Sequence, residues 1–329
     1  MPEIDKGIWD KFIRNYPNAH LLQTSRWGDL KQSNGWDVAR IVLENAGSQV
    51  LFRHLPLGYT IAYIGKGPIG QPKAEFWKAV DALCHDHRAV FLKVEPDEWL
   101  DGRETTVDAE SSGFRRSSQS IQPPRTILVE IGGDEAGILA RMKQKTRYNI
   151  RLAIKRGVVV RQSSDVNIFH ELLLETGKRE KFGIHSYQYY QRCYDLFNPR
   201  GECELLLAEF EEKQISGVMI FAIGDRAWYF YGASSDRYRN TMASYLLQWE
   251  AIRWARSRGC KYYDFWGVPD EDEETLESEF IHRDDGLWGV YRFKRGFGGN
   301  LVRSSGPWDR IYHPILYQIY CWWLRLANT

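Results

Sequence analysis

The sequence predicts an α+β protein made of two domains of one type, each a mainly antiparallel sheet flanked by helices. The chain has 329 residues, a length typical of two domains, and its 43% apolar and 26% charged residues are typical of a globular protein. One order of elements, three strands followed by a helix and a strand, occurs twice along it. The net charge of +1 disfavours a uniformly basic nucleic-acid binder but is compatible with a local basic patch.

The first set of elements lies in the N-terminal third of the chain. Alternating apolar residues predict strands over 37–43, 49–55 and 59–64, which form an antiparallel meander. Apolar residues at helical spacing predict a helix over 73–87, and the β-rich residues 91–95 predict the strand that follows it.

The second set repeats this order in the C-terminal half. Strands are predicted over 204–210, 217–223 and 226–233, separated by polar and glycine-containing turns. A helix is predicted from about 240 to 258, ended by Gly259, and a strand over 261–267.

A strongly basic segment joins the two sets. We predict one helix that begins at Gly133 or Asp134 and ends at Gly157. Between positions 141 and 161 there are eight lysines and arginines and no acid. Four of them follow one another at i, i+4 spacing and are called the basic ridge: Lys143, Arg147, Arg151 and Lys155.

Like charges at this spacing destabilise a helix by roughly 0.2–0.5 kcal/mol per pair, so the basic ridge needs a partner. Three explanations of the basic ridge remain open. The ridge is a solvated face, or it pairs with the acidic segment 270–279, which has seven acids in ten residues. In the third reading it follows the phosphates of a nucleic acid and gives affinity without sequence readout.

The rest of the chain shows no pattern typical of a metal site, a disulfide framework or a membrane span. Its five cysteines are scattered without a C-x-x-C pair, so we expect no metal and a reducing cytoplasm. The N-terminus lacks the features of a signal peptide, and no run of 18 uncharged apolar residues occurs. The aromatic run Ile315–Leu326 predicts a buried helix, with binding to a membrane surface as the alternative.

Five segments, in order along the chain, resemble signatures of the Fem family, the FemABX-type aminoacyltransferases. KTRYNIRLAIKRGV (145–158) closely resembles one signature of the family, and 229–268 contains its Tyr-Gly-Ala-Ser and Tyr-Asp-Phe motifs. The other three are GVYRFKRGFGGNLV (289–302), LQTSRWGDLKQSNGW (22–36) and YIGKGPIG (63–70). The resemblance covers nearly the whole chain.

The resemblance implies a pair of GNAT-like domains, which agrees with the repeated order of elements. We expect the first domain at 1–133, with 306–329 returning to it, and the second at 134–305. No sustained heptad pattern is visible, so the chain resembles the compact members of the family, which lack an inserted coiled-coil arm.

The resemblance also implies an activity. Members of the family move an amino acid from aminoacyl-tRNA to an amine on the stem peptide of a peptidoglycan precursor, lipid-linked or UDP-linked, to build interpeptide bridges. No cofactor is implied. We expect a cytoplasmic monomer with a peripheral contact to the inner membrane, and tRNA held by Lys143, Lys145, Arg147, Arg151 and Lys155.

For catalysis, attack of an amine on the ester builds negative charge on the former carbonyl oxygen, which a fixed cation can stabilise. The resemblance assigns Lys294 to this oxyanion or to the 3′ end of the tRNA, with Phe293 shaping the pocket. Glu95, at the end of a strand, is the best acidic candidate for accepting the amine proton, although substrate-assisted transfer needs no base.

For the acceptor, the resemblance assigns Lys31 to the phosphates of the precursor and places Trp36, Tyr189 and Tyr231 among the substrate-binding residues. Where the family usually has an arginine, this chain has His185. Histidine is largely neutral near pH 7 and cannot clamp a phosphate bidentately. A lipid-linked precursor, or another amine acceptor, is therefore favoured over a nucleotide-linked one.

Two other functions remain open. A CoA-dependent N-acyltransferase on the same fold would need a glycine-rich loop for the pyrophosphate, and the corresponding stretch SSDRYRNTMASYLL contains no glycine. A non-catalytic RNA-binding or envelope-binding module is disfavoured because the chain keeps both Lys294 and Lys31.

Overall fold

The computed structural model describes residues 3–100, 113–180, 182–283 and 285–327. The chain divides into two compact units, Met1–Pro124 with Arg303–Thr329, and Arg125–Val302. A seven-stranded sheet lies at the centre of each unit. The predicted α+β fold with two helix-flanked mixed sheets is confirmed.

The elements are numbered along the chain. The described helices are α1 (Lys6–Ile13), α2 (Ser25–Gln32), α3 (Ala74–Asp86), α4 (Glu135–Arg141), α5 (Gln144–Lys155), α6 (Val166–Glu180), α7 (Tyr187–Phe197), α8 (Ala243–Ser257), α9 (Glu273–Glu279), α10 (Trp288–Lys294) and α11 (Pro314–Ala327). The described strands are β1 (Trp36–Leu43), β2 (Ala46–His54), β3 (Thr60–Gly65), β4 (Ile69–Gly70), β5 (Ala89–Glu95), β6 (Arg115–Arg116), β7 (Arg125–Glu130), β8 (Val159–Ser163), β9 (Cys203–Phe210), β10 (Lys213–Ile223), β11 (Arg226–Ser234), β12 (Tyr262–Asp264), β13 (Asn300–Arg303) and β14 (Trp308–Ile311).

The first unit is built on the sheet β1-β2-β3-β5-β14-β6, with β4 beside β2. Strand β3 runs parallel to β5, whereas β1, β2 and β3 form an antiparallel meander. Buried apolar side chains of the sheet, such as Phe52 and Leu92, pack with Phe76 and Val80 of α3. Strand β14, from the end of the chain, pairs with β5 and β6 and so joins this sheet.

The second unit is built on the sheet β13-β7-β12-β11-β10-β9-β8. Strand β11 runs parallel to β12, whereas β9, β10 and β11 are antiparallel. Helix α8 contributes Leu247, Ala251 and Ile252 to a core that also holds Ile220 and Tyr263 of the sheet.

The two units therefore repeat one topology, as the sequence predicts. In each, three antiparallel strands are followed by a helix and by a strand that runs parallel to the third strand. A right-handed crossover through a helix is the usual way to connect two parallel strands, and α3 and α8 occupy the corresponding positions.

The basic segment differs from the single helix predicted over 134–157, and that prediction is wrong. Two helices, α4 and α5, are separated at Met142, whose backbone is extended at φ −69° and ψ 149°. The guanidinium of Arg147 donates to the carbonyl of Met142, and more weakly to that of Leu139, at the end of α4. The predicted ends are confirmed, because Asp134 caps α4 through its side chain and Gly157 follows α5 at φ +83°.

The helix predicted over 315–326 forms as α11, but the prediction that it is buried is wrong. Residues Leu316, Tyr317 and Tyr320 pack against the sheet, while Ile315 and Trp322 on other faces are 76% and 62% exposed. Among the described residues, no helix is long and apolar enough to cross a membrane.

The boundary between the units lies earlier than the sequence places it. Strand β7 pairs with β12 in the second sheet, so the change of unit comes at Arg125 and not at Gly133. The glycines at 132 and 133 form the turn between β7 and α4 within the second unit. Turn residues mark the ends of elements, and a sequence alone does not say which sheet a strand joins.

Candidate active site

The side chain of Lys294 lies inside the second unit, at the end of α10, and is only 6% exposed. Its Nζ donates to the carbonyl of Trp266 at 2.8 Å and to that of Gly267 at 2.7 Å. Burial lowers the pKa of Lys294 to about 7, against the opposing effect of the Asp264 carboxylate. A lysine in this setting changes its charge near neutral pH, which a surface lysine does not.

The loop after β12 holds these two carbonyls in place. Trp266 has a backbone φ of +54°, in the left-handed region that side-chain-bearing residues rarely adopt. Its N–H donates to Asp264 Oδ1 at 2.8 Å, and Thr126 Oγ1 donates to the same oxygen at 2.5 Å. Asp264 is fully buried, so it supports the loop and lies close enough to influence the charge of Lys294.

An aromatic ring lies beside the Lys294 ammonium group, and the neighbouring Phe293 packs against two others. The Nζ of Lys294 lies 5.6 Å from the ring centre of Tyr229, whose pKa burial raises to about 12. Phe293 contacts the rings of Tyr245 and Phe297, with centroids 5.0 and 5.2 Å apart. Phe293 therefore packs within an aromatic cluster of the second unit, and its role in shaping a pocket stays a prediction.

Two motifs that are distant in the sequence meet beside this lysine. The backbone N–H of Lys143 donates to the carbonyl of Gly296 at 2.9 Å. A Cβ placed on Gly296 would lie 2.2 Å from Thr146 Oγ1, and one on Gly298 would lie 2.7 Å from the carbonyl of Arg141. The glycines of RGFGG therefore let this loop approach the break between α4 and α5.

A second group of candidates lies at α7 and β11 in the same unit. The hydroxyls of Tyr189 and Tyr231 are 3.2 Å apart, and burial raises the pKa of both phenols. The imidazole of His185 stacks on Tyr189 with ring centroids 3.9 Å apart and is itself exposed. The structure thus brings His185, Tyr189 and Tyr231 together, and their binding of substrate stays a prediction.

Contacts along β11 connect this group to Lys294. Tyr231 neighbours Phe230, whose ring lies 4.4 Å from that of Trp266. Trp266 provides one of the two carbonyls that hold Lys294. Strand β11 pairs with β12 over three residues only and continues beyond them beside β10, so Phe230 and Tyr231 lie past the point where the two parallel strands separate.

The candidates for acceptor binding in the first unit lie at its N-terminal helices. Lys31 is in the last turn of α2, with its Nζ 4.9 Å from the ring centre of Trp27. Trp36 begins β1 and is half-buried. Thr24, the N-cap of α2, accepts from the N–H of Trp27 and fixes the start of the helix that presents Lys31.

Glu95 lies at the end of β5 and is 3% exposed. Its carboxylate accepts from the Tyr63 hydroxyl at 2.6 Å and from the N–H of Gln122 at 3.0 Å, and also from the N–H of Ile121. Burial raises the pKa of Glu95, while these donors oppose the rise. Because its oxygens are engaged by three donors, the geometry favours a structural role over the general base predicted from the sequence.

The basic residues of α5 and of its N-cap position, Lys143, do not form one uniform surface. Lys143, Lys145, Arg151 and Lys155 are exposed, whereas Arg147 is half-buried against the end of α4. The acidic segment has other partners, because Asp270 pairs with Arg125 and Glu277 with Arg295. These two pairs disfavour the reading in which the acidic segment neutralises the basic ridge.

Three residues near these sites were missed by the sequence reasoning. The carbonyl of Trp266 accepts a hydrogen bond from Lys294. In the sequence, the pairing of an aromatic residue with a glycine in YYDFWG is all that indicates it. Tyr148 is 60% exposed on α5, and its spacing to Arg151 and Lys155 places all three on one face. Lys66 is buried beside Glu95, with its Nζ 5.1 Å from the ring centre of Trp99.

One open groove of about 540 Å³ lies elsewhere in the second unit, between α8, β8 and α4. Arg253, Trp254 and Arg256 are among its lining residues, and none of the predicted site residues lines it. The described residues contain no group of three or more metal-binding side chains.

Known proteins are similar to this chain over nearly its whole length. A lipid II:glycine glycyltransferase from Staphylococcus epidermidis and one from Staphylococcus aureus are each 25% identical to the chain, over 94% of it and 92% of their own length. The alignments extend over 394 and 399 residues, so these relatives contain residues that the 329-residue chain lacks. The longest described helices of the second unit have 15 residues, in keeping with a compact form.

Solved structures share the fold. A crystal structure of FemX superposes with a TM-score of 0.82 at 24% identity, covering 97% of this chain and 98% of that one. A tandem GNAT protein from the clavulanic acid biosynthesis pathway gives a TM-score of 0.51 at 12% identity, covering 87% and 93%. The FemAB family model matches residues 4–116, 105–214 and 204–323, and the chain therefore belongs to the FemAB family.

Proposed function

We propose that this protein moves an amino acid from aminoacyl-tRNA to an amine on the stem peptide of a lipid-linked peptidoglycan precursor. The chain is an enzyme that forms peptide bonds, in keeping with relatives named glycyltransferases. The proposal adds the donor and the acceptor. The buried, doubly hydrogen-bonded Lys294 is the observation that carries it.

The chemistry follows from the position of this lysine. The acceptor amine attacks the ester carbonyl carbon, a C–N bond forms, and the carbonyl oxygen becomes an oxyanion. When that oxygen regains its double bond, the ester C–O bond breaks, and the proton lost by the amine nitrogen passes to the leaving ribose oxygen, which becomes a hydroxyl. Protonated Lys294 has three N–H groups, two of which bond to Trp266 and Gly267, so the third is available for the oxyanion.

The exposed face of α5 supports the choice of donor. Its lysines and arginines suit phosphates, and Tyr148 offers an exposed ring between them on which a base can stack. No acid occurs between positions 136 and 164, so this face has no carboxylate of its own to repel a nucleic acid.

The tyrosine group supports the choice of acceptor. Tyr189 and Tyr231 present two hydroxyls to one another, and such groups can bind the carbonyls and amides of a peptide. The exposed ring of His185 offers a weaker phosphate contact than an arginine would, which favours a lipid-linked acceptor over a nucleotide-linked one. The curated relatives carry lipid II in their names.

A transfer assay tests the proposal. The purified protein is mixed with total bacterial tRNA charged with labelled amino acids and with a lipid-linked or a nucleotide-linked muropeptide, with and without ribonuclease. We expect label on the lipid-linked acceptor only while the RNA is intact. Lys294→Met should lower turnover by at least about a hundredfold with little change in tRNA affinity.

Two results would contradict the proposal. Transfer that survives ribonuclease would exclude aminoacyl-tRNA as the donor. Absence of transfer to every acceptor, together with acetyl-CoA binding, would favour a CoA-dependent acyltransferase on this fold.

A further inference from the structure

The exposed face of α11 is an apolar and aromatic surface in the first unit. Ile315, Ile319, Trp322 and Leu326 follow one another at spacings of four, three and four residues, which places them along one stripe. Trp323 lies beside this stripe. All five side chains are more than half exposed, and they are called here the α11 patch.

The opposite face of the helix is already used for packing. Leu316, Tyr317 and Tyr320 contact the cluster of Ile61, Val90 and Phe91. The hydroxyl of Tyr317 also donates to Asp309 Oδ2 at 2.8 Å, which fixes the rotation of the helix. The exposure of the α11 patch therefore follows from how α11 is anchored to the sheet.

A second apolar side chain lies in the turn next to the start of α11. Leu57, between β2 and β3, is 86% exposed and has a φ of +64°. Tyr59 at the end of the same turn contacts the ring of His313, which directly precedes α11. Leu57 thus protrudes from a turn that adjoins the helix.

Exposed arginines lie near this surface. The sequence of α11 contains no acid, and its one charged residue is Arg325 in the last turn. Arg53 lies close enough to affect the pKa of Tyr320, and the guanidinium of Arg88 lies 4.8 Å from the ring centre of Tyr59. Arg53 and Arg88 are both exposed, whereas the Asp309 carboxylate that also acts on Tyr320 is buried and is bonded to Lys93 and Tyr317.

From this combination we infer that the α11 patch and Leu57 dock on the surface of a bilayer that contains anionic phospholipid. Tryptophan prefers the interface between water and lipid, apolar side chains gain by entering the acyl boundary, and arginines at the rim attract lipid phosphates. The inference rests on the proposed function in one respect: a lipid-linked acceptor is the reason for an enzyme of this kind to bind a membrane.

Sedimentation with vesicles tests the inference on the full chain. Sucrose-loaded vesicles of phosphatidylcholine are compared with vesicles that contain one third phosphatidylglycerol, at low and high salt. We expect binding that increases with phosphatidylglycerol and decreases with salt. The double variant Trp322→Gln with Trp323→Gln should lower the partition coefficient about tenfold or more, because both interfacial anchors are lost.

Matched variants separate the contributions. Trp322→Phe with Trp323→Phe keeps the apolar surface and should retain most of the binding. Arg53→Gln with Arg88→Gln should remove the preference for phosphatidylglycerol and leave weak binding to phosphatidylcholine. If the glutamine double variant binds vesicles as well as the unchanged protein does, the inference is wrong.

A self-association surface is the competing outcome. Analytical ultracentrifugation would then show a dimer that the glutamine double variant dissociates, together with no vesicle binding, and this result would overturn the inference. Transfer to the lipid-linked acceptor dispersed in detergent, without vesicles, distinguishes the two proposals. Transfer without vesicle binding removes the docking surface alone, whereas vesicle binding without transfer to any acceptor leaves docking standing and removes the proposed function.

Discussion

The environment of Lys294 shows how single residues prepare a site for charge. Burying an ammonium group is costly unless carbonyl oxygens replace water, and two carbonyls of one loop do so here. Trp266 brings its carbonyl into position by adopting a left-handed backbone conformation, which costs of the order of 1–3 kcal/mol for a residue with a side chain. Asp264 offsets part of that cost by accepting from the Trp266 N–H.

Activity should depend on pH through Lys294. Its pKa is lowered to about 7, so the protonated form, which the proposed mechanism requires, decreases as the pH rises through that value. We expect kcat to fall between pH 7 and 9 in the unchanged protein. In Lys294→Arg, whose guanidinium stays charged, any remaining activity should not fall over this range.

NMR of protein labelled with ¹³C-lysine provides an independent check. One ε-methylene signal should titrate near pH 7, and it should be absent from the spectrum of Lys294→Met. A Lys294 signal that titrates near 10.5, the ordinary value for lysine, would contradict the proposed role of the buried site.

Glu95 should act on stability more than on chemistry. Glu95→Gln gives the Tyr63 hydroxyl and the two backbone N–H groups one acceptor oxygen in place of two. Leaving a buried donor without an acceptor costs about 1–3 kcal/mol, so the midpoint of urea unfolding of the first unit should decrease. The folded variant should keep most of its turnover.

Tyr63→Phe is the matched control, because it removes one donor and leaves the carboxylate its two backbone partners. We expect a smaller loss of stability from it. If Glu95→Gln instead kept its stability and lost its turnover, Glu95 would be restored as a general base.

At the scale of elements, some basic side chains of α5 are exposed to solvent and one bonds within the protein. Arg151 and Lys155 are exposed one turn apart, whereas Arg147 bonds to the end of α4. Reversing both exposed charges, with Arg151→Glu and Lys155→Glu, should weaken tRNA binding. The slope of log K against log salt should decrease by about two, since each phosphate contact contributes about one.

Arg147→Gln provides the contrast. It removes a donor to the α4 carbonyls, so we expect lower stability with a smaller change in the salt slope. Filter binding at several salt concentrations measures both variants. Equal salt slopes for the double variant and the unchanged protein would remove α5 from the tRNA-binding surface.

The close packing of the RGFGG loop on α5 can be tested by adding a side chain at Gly296. Gly296→Ala should destabilise the second unit by about 1–3 kcal/mol, because the new methyl group would lie 2.2 Å from Thr146 Oγ1. Adding Thr146→Ala removes that oxygen and should recover most of the loss. Urea unfolding of the single and double variants measures the coupling.

Gly132→Ala is the matched control, because a Cβ there meets no atom within 4 Å. It should change stability by only a few tenths of a kcal/mol. An equal loss from Gly132→Ala and Gly296→Ala, or no recovery with Thr146→Ala, would show that close packing is not the reason for glycine at 296.

At the scale of the whole molecule, one topology is used twice and carries different residues in each copy. The third and fourth strands of the repeat run parallel in both units, β3 with β5 and β11 with β12. In the second unit the pair separates after three residues, and Lys294, Trp266 and the tyrosines of β11 gather there. In the first unit the strand β5 ends at Glu95, which is engaged by its own neighbours.

The sequence by itself determined the order of strands and helices, the repeat and the motifs that indicate the family, because periodicity and turn residues are local properties. It also placed Lys294, Tyr189 and Tyr231 in one unit. Tertiary structure alone decided which other parts of the chain each helix face and each buried side chain contacts. The predicted helix divides at Met142, where the next N–H, that of Lys143, bonds to the distant carbonyl of Gly296. Glu95 is enclosed because the backbone N–H groups of residues 121 and 122 bond to it, and α11 stays exposed because only one of its faces packs on the sheet. A periodic pattern says which side chains share a face, and the partner of that face depends on contacts between residues far apart in the chain.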